Sequence, residues 1–260
     1  MSALRMRILN RDCVVGTFVK TPALQVVELL GRAGLDFAIA DMEHAPIDLS
    51  SLDGMALGAR SAGLPLLIRS TGAQPAAIWP ALDLGCAGVM VPHVASAADA
   101  SAVAQAVKYA LGSRGFSPSG RAGDYGCCDH ADYRRRSDAG SVIMAQIEDA
   151  SALDNLDAIA AVPEVDVLFI GPADLSLSLG CATDAPPMLA AIDAVIAAAK
   201  RAGKASGIYV GAASQMRPWA DKGMTVFVCG SDQSMILNGA RGLKQTARDL
   251  MPPPGSVADP

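Results

Sequence analysis

Eight short, continuously apolar runs punctuate the chain, at residues 14–20, 36–43, 64–69, 88–94, 142–148, 165–171, 205–211 and 225–231. They are rich in Val and Ile and do not alternate with polar residues, the pattern of strands covered on both faces. Between them lie Ala- and Leu-rich stretches of helical period at 24–33, 49–62, 75–84, 97–111, 151–161, 187–202 and 212–222, with a last one at 233–251. Glycines 34, 63, 203 and 223 stand just past helix ends, where a left-handed cap is common. Strand–helix alternation repeated eight times predicts a single α/β domain over 1–260, a (β/α)8 barrel. A doubly wound sheet is the alternative, but the first run closes in Phe18-Val19-Lys20-Thr21-Pro22 without the glycine-rich loop of that fold.

Two segments break the rhythm. Residues 112–140 are rich in Gly, Ser, Arg and Asp and read as a long loop, a length associated with function or mobility. The end of the chain, MPPPGSVADP, cannot be helical, and 251–260 reads as a flexible tail.

The composition narrows the function. The 260 residues are 51% hydrophobic and 18% charged, which excludes a disordered chain. A net charge of −5, with one short basic run at Arg134-Arg135-Arg136, argues against nucleic acid as partner. Every apolar run is shorter than the ~20 residues of a membrane span, and the N-terminus lacks a signal-peptide pattern. The six cysteines, Cys13, Cys86, Cys127, Cys128, Cys181 and Cys229, form no CxxC pair and read as reduced thiols of a cytoplasmic protein.

The chemistry gathers where the runs end. The first ends in Lys20, the second in Asp41, Glu43 and His44, the third in Arg69, the fourth in His93, the fifth in Gln146 and Glu148, and the sixth in Gly171-Pro172-Ala173-Asp174. Barrel enzymes place their active sites at these ends. Glu148 and Asp174 follow adjacent strands, so their carboxylates can converge on a hard divalent cation. Each also stands where a helix begins, and capping fits the spacing equally well. Asp41 near His44 fits a general base with a fixed tautomer, and also an ordinary turn. Arg69, ending an apolar strand, requires an anionic partner, from the substrate or from the protein. The Gly171–Asp174 turn offers backbone N–H groups to an anion but is not a P-loop. Lys20 is a candidate Schiff-base lysine, the other lysines reading as surface residues. His93 reads as a packed loop residue, and His130 takes no role.

Taken together, the segments GTFVKTP, LDFAIADMEHAP, LPLLIRS, ALDLGCAGVMVPHV, MAQIEDASALDNLDAI and FIGPADLSLSLG resemble the HpcH/HpaI family of metal-dependent class II pyruvate aldolases, over about residues 16–237. The resemblance implies reversible cleavage of a 4-hydroxy-2-oxo acid to pyruvate and an aldehyde through a metal-bound enolate. It also implies a divalent ion (Mg²⁺, Mn²⁺ or Co²⁺) on Glu148 and Asp174, with Gln146 beside the keto acid. The amides of Ala173 and Asp174, in the turn begun by Gly171 and Pro172, would hold the carboxylate. Arg69 would sit at the keto oxygen, His44 with Asp41 would form the acid–base dyad, Asp83 would reach a neighbouring subunit's site, and Tyr209 would shape the acceptor pocket. It further implies a homo-oligomer, a hexamer built as a trimer of dimers with the last helix exchanged, and a place in aromatic compound catabolism. Phe18 stands where family members often carry Trp, which leaves the aldehyde open. Other readings are oxaloacetate decarboxylation or macrophomate synthase-like chemistry on the same enolate, a citramalyl- or malyl-CoA lyase, and a barrel retained only for binding. The complete set of Asp41, His44, Arg69, Glu148 and Asp174 argues against the last.

Overall fold

A computed structural model describes residues 2–251. Eight strands appear where the apolar runs are: β1 (Val14–Val19), β2 (Phe37–Asp41), β3 (Leu66–Arg69), β4 (Gly88–Val91), β5 (Val142–Ile147), β6 (Val167–Ile170), β7 (Ala205–Val210) and β8 (Val226–Ser231). All neighbours are parallel, and β8 pairs with β1 to close the barrel. The expected α/β barrel is thus the observed fold. The side chains divide into two apolar layers. Phe37, Leu67, Met90, Met144 and Phe169 fill the barrel, while Ile68, Val89, Ile143 and Leu168 face the surrounding helices. Gly16 and Gly207 make room for the large interior rings, since a Cβ there would stand 2.5 Å from Phe37 and 2.7 Å from Phe169.

The outer helices are α1 (Ala3–Leu9), α2 (Leu24–Arg32), α3 (Leu49–Ala62), α4 (Pro75–Asp83), α5 (Ala97–Val107), α6 (His130–Gly140), α7 (Leu156–Ala160), α8 (Pro172–Ser178), α9 (Pro186–Arg201), α10 (Arg217–Ala220) and α11 (Asp232–Leu250). Helix α1 was not expected. Its Leu4 and Ile8 pack into the barrel's N-terminal end. Arg5 Nε donates to both oxygens of Asp166 at 3.1 Å. Asp166 is 1% exposed and also accepts the Ile143 N–H at 3.0 Å, so an ion pair fastens this floor to β5.

The stretch expected as a loop at 112–140 is largely ordered. It holds a 3-10 turn (Arg121–Gly126), with Asp124 and Tyr125 in left-handed conformations, followed by α6. Tyr109 meets Phe116 and Tyr133 edge to face, and Arg114 lies 4.1 Å over Tyr109. The helix expected over 97–111 stops at Val107. The next residue, Lys108, is buried rather than on the surface, and its ammonium donates to the carbonyls of Asp138 at 2.7 Å and Ser141 at 2.6 Å. The expected helices at 151–161 and 212–222 are each a 3-10 turn followed by a short α-helix. Arg135 and Arg136 pair with Asp132 on an exposed face, as expected of a solvated basic run. Of the tail at 251–260, all but Met251 lies outside the described residues.

Candidate active site

A cavity of about 510 Å³ opens at the C-terminal ends of the strands. Its wall brings together Lys20, His44, Arg69, Gln146, the turn Gly171–Asp174, Tyr209 and the first turn of α11. Glu148 is not part of that wall but bonds to Gln146, which is. A Cβ on Gly171 would stand 2.6 Å from Glu148 Oε2 and 2.8 Å from Gln146 Nε2, so only glycine fits there.

The register of β2 and β3 sets one half of the site. Asp41 and Arg69 are direct partners across the two strands. Their side chains form a bidentate pair, Nε donating to Oδ1 at 3.0 Å and Nη2 to Oδ2 at 2.7 Å. Asp41 is fully buried, Lys20 Nζ stands 3.3 Å from its Oδ2, and the His44 backbone N–H donates to it at 3.1 Å. Burial alone would raise the Asp41 carboxyl, but hydrogen bonding and charge from Arg69, with His44 and Lys20 added, hold it below its ordinary value. The expected Asp41–His44 dyad is therefore corrected: Asp41 touches His44 only through the backbone. Its carboxylate is spent on the guanidinium, because adjacent strands bring these two closer than the turn brings the imidazole. The carboxylate nearest the His44 ring is Glu43, at 3.8 Å, which also stands 3.3 Å from Arg69 Nε. Arg69 finds its anion within the protein and lies 4.7 Å over the Phe18 ring.

Strands β5 and β6 set the other half. Glu148 is 2% exposed. It accepts the His93 N–H at 2.9 Å and a short hydrogen bond from Gln146 Nε2. Burial first, then the charges of Asp174 and Glu43 against a lowering by His93, raise its carboxyl to about 7. Neither carboxylate caps a following helix: the start of α8 has no side-chain cap, and Ala150 N–H goes to Ser178 Oγ. Gln146 Oε1 is buried with no partner among the described residues. Two carboxylates and an orphaned amide oxygen make an all-oxygen donor set suited to a hard cation. No cluster of three or more His, Cys, Asp and Glu able to hold a metal occurs among the described residues.

Asp83 does not line this cavity. It ends α4 and pairs with buried Arg114 at 3.1 Å. Its burial raises the carboxyl even against that guanidinium. Lys20 Nζ stands 3.3 Å from Asp41 Oδ2, an ion pair that a Schiff base would have to break. His93, expected as a packed loop residue at the end of the fourth run, instead contacts the Glu148 side of the site: its Nδ1 lies 3.1 Å from Asp149 and 3.5 Å from Glu148.

Comparison with known proteins identifies the family. A model of the HpcH/HpaI aldolase/citrate lyase family matches residues 15–239. The chain is 35% identical to a 2-dehydro-3,6-dideoxy-6-sulfogluconate aldolase of Pseudomonas putida, over 90% of this chain and 92% of the relative. It is 34% identical to a hydroxypyruvate/pyruvate aldolase of Pseudomonas aeruginosa, over 98% and 96%. A crystal structure of a HpcH/HpaI aldolase/citrate lyase family protein from Burkholderia cenocepacia superimposes with a TM-score of 0.89 at 29% identity, covering 95% of this chain and all of that one. Fold, family model and relatives thus converge: the chain belongs to the HpcH/HpaI aldolase/citrate lyase family and is a lyase of the aldolase type.

Proposed function

We propose that the enzyme reversibly cleaves a 4-hydroxy-2-oxo acid to pyruvate and an aldehyde, with Mg²⁺, Mn²⁺ or Co²⁺ held by Glu148 and Asp174. The observation that carries this reading is the buried Glu148, its carboxyl raised in part by the charge of Asp174 and bonded to Gln146, whose own Oε1 has no partner among the described residues, in a site whose cavity wall also holds Asp174, Arg69 and His44. Bound there, a divalent cation would supply Lewis acidity and lower the cost of an enolate.

The chain's own groups divide the remaining work. The N–H groups of Ala173 and Asp174, free in the first turn of α8, hold the substrate carboxylate. Gln146 orients the 2-oxo acid. Arg69, fixed by Asp41, places positive charge where the oxyanion develops. His44 takes the proton of the 4-hydroxyl, the C3–C4 bond breaks, and its electron pair remains with the pyruvate half. The aldehyde departs past Tyr209, and a proton delivered to C3 completes pyruvate. The test is exchange of the pyruvate methyl protons for deuterium in D2O, followed by NMR. Exchange that requires Mg²⁺ or Mn²⁺ and is lost in R69A is expected; full exchange after exhaustive chelation would refute the role of the cation.

The same reading includes a homo-oligomer. Ile236, Ala240, Leu243, Ala247 and Leu250 recur at spacings of four and three along α11, the seam of a helix that packs on another. Ile236, Leu243 and Leu250 are 63%, 74% and 78% exposed. A hexamer, and a role for Asp83 toward a neighbouring subunit, are part of this proposal. So is a cytoplasmic location, supported by six free cysteines and by the absence, among the described residues, of a helix long and apolar enough to cross a membrane.

A further inference from the structure

β4 leaves the barrel through Pro92, and His93 then adopts a left-handed backbone conformation, φ 55°. Non-glycine residues rarely hold this conformation, His and Asn more readily than most, and it clusters where a site needs it. Its consequence is directional. The His93 N–H turns onto Glu148 Oε1 at 2.9 Å, and the next N–H, of Val94, turns onto the Gln146 carbonyl at 3.2 Å. The imidazole closes the hook by bonding Asp149 Oδ2 through Nδ1 at 3.1 Å. Two successive residues therefore grip the end of β5 at Gln146, Glu148 and Asp149. An extended conformation at His93 would carry the Val94 N–H away from the Gln146 carbonyl and release the hold on the end of β5 that keeps Glu148 against the His93 N–H.

We propose that His93 is a positioning residue: its left-handed hook fixes the Glu148 carboxylate in the rotamer that binds the divalent cation. This rests on the reading that Glu148 and Asp174 hold that cation. The backbone supplies the bond to Glu148, so the side chain matters through the conformation it permits.

The test is direct Mn²⁺ binding, read from the electron paramagnetic resonance of free Mn²⁺, on wild type, H93A, H93G and H93N. All lie on an exposed side chain, and thermal melting checks that each is folded. Alanine and glycine both lose the imidazole, but only glycine adopts the left-handed conformation at no steric cost. Supporting partners of metal ligands are typically worth about 10–100-fold in affinity, so H93A should weaken binding about tenfold or more. H93N and H93G should stay within roughly threefold of wild type, glycine without restoring the ring. H93A binding as tightly as wild type, or H93G losing as much as H93A, overturns the proposal. No binding by wild type would overturn the cation site itself, and the proposal with it.

Discussion

Replacing Glu148 by Gln should make the metal-free protein more stable at pH 8 while ending its function. Glu148 is buried, and its carboxyl sits at about 7 rather than the ordinary 4.5. A carboxyl raised in the folded state binds its proton more tightly there than when unfolded. Stability is therefore highest below pH 4.5, falls as pH rises through about 7, and is flat above. At 1.36 kcal/mol per pKa unit the ionised carboxylate costs the fold about 3 kcal/mol at pH 8. His93, also raised, adds the same sign, since what it contributes is lost as pH climbs, although its exposed ring makes that part small. Glutamine has the shape of glutamate and no charge. Its Oε1 can keep the His93 N–H, and a flipped Gln146 amide would turn the orphaned Oε1 toward the new Nε2. At about 2–4 °C per kcal/mol for a chain of this size, E148Q should melt about 6–12 °C above wild type at pH 8. At pH 5 the gap should narrow to about 2–3 °C, since only about 0.8 kcal/mol of the cost is present there. The assay is calorimetry on chelator-treated protein at both values. Mn²⁺ should reverse the order, because only wild type gains by binding it. A variant less stable than wild type at pH 8, or one losing as much stability between pH 5 and pH 8, would refute the reasoning.

Asp41→Asn should destabilise far more than a substitution at the protein surface. It removes the counter-charge of a 94% buried arginine, and breaking one side of a buried pair costs about 3–5 kcal/mol. A urea midpoint equal to wild type would contradict this, and turnover should fall with the loss of a fixed Arg69. Leu243→Glu, placed on the exposed seam of α11, should lower the mass seen by light scattering. A wild-type mass of one 26.6 kDa chain at micromolar concentration would count against the oligomer.

Strands buried on both faces announce themselves as unbroken apolar runs, and so all eight were legible. The segment that became α6 was not, because only Tyr133 is buried along eleven residues and no apolar stripe marks it. Helix α1 escaped for the opposite reason: Leu4 and Ile8 are correctly spaced, but seven residues are too few to show a period. At the site, the residue types at the strand ends were readable and their pairing was not. Asp41 stands three positions from His44 in the chain and 28 from Arg69, yet strand register gives its carboxylate to the arginine. The hook at His93 depends on one backbone angle, for which Pro-His offers no signal.

The closing pair of strands has a consequence for how the protein is made. β8 is synthesised well after β1, with six strands between them. At 5–20 residues per second, β1 waits on the order of 10–40 s for its second neighbour. Through that interval its outer edge carries unpaired backbone groups, and α1 has no Asp166 to grip until β6 is near. Such non-local pairing is slow and leaves nascent chains able to find one another before they find themselves. Yield should therefore follow the rate of synthesis, slower translation and cooler growth favouring closed barrels over aggregates.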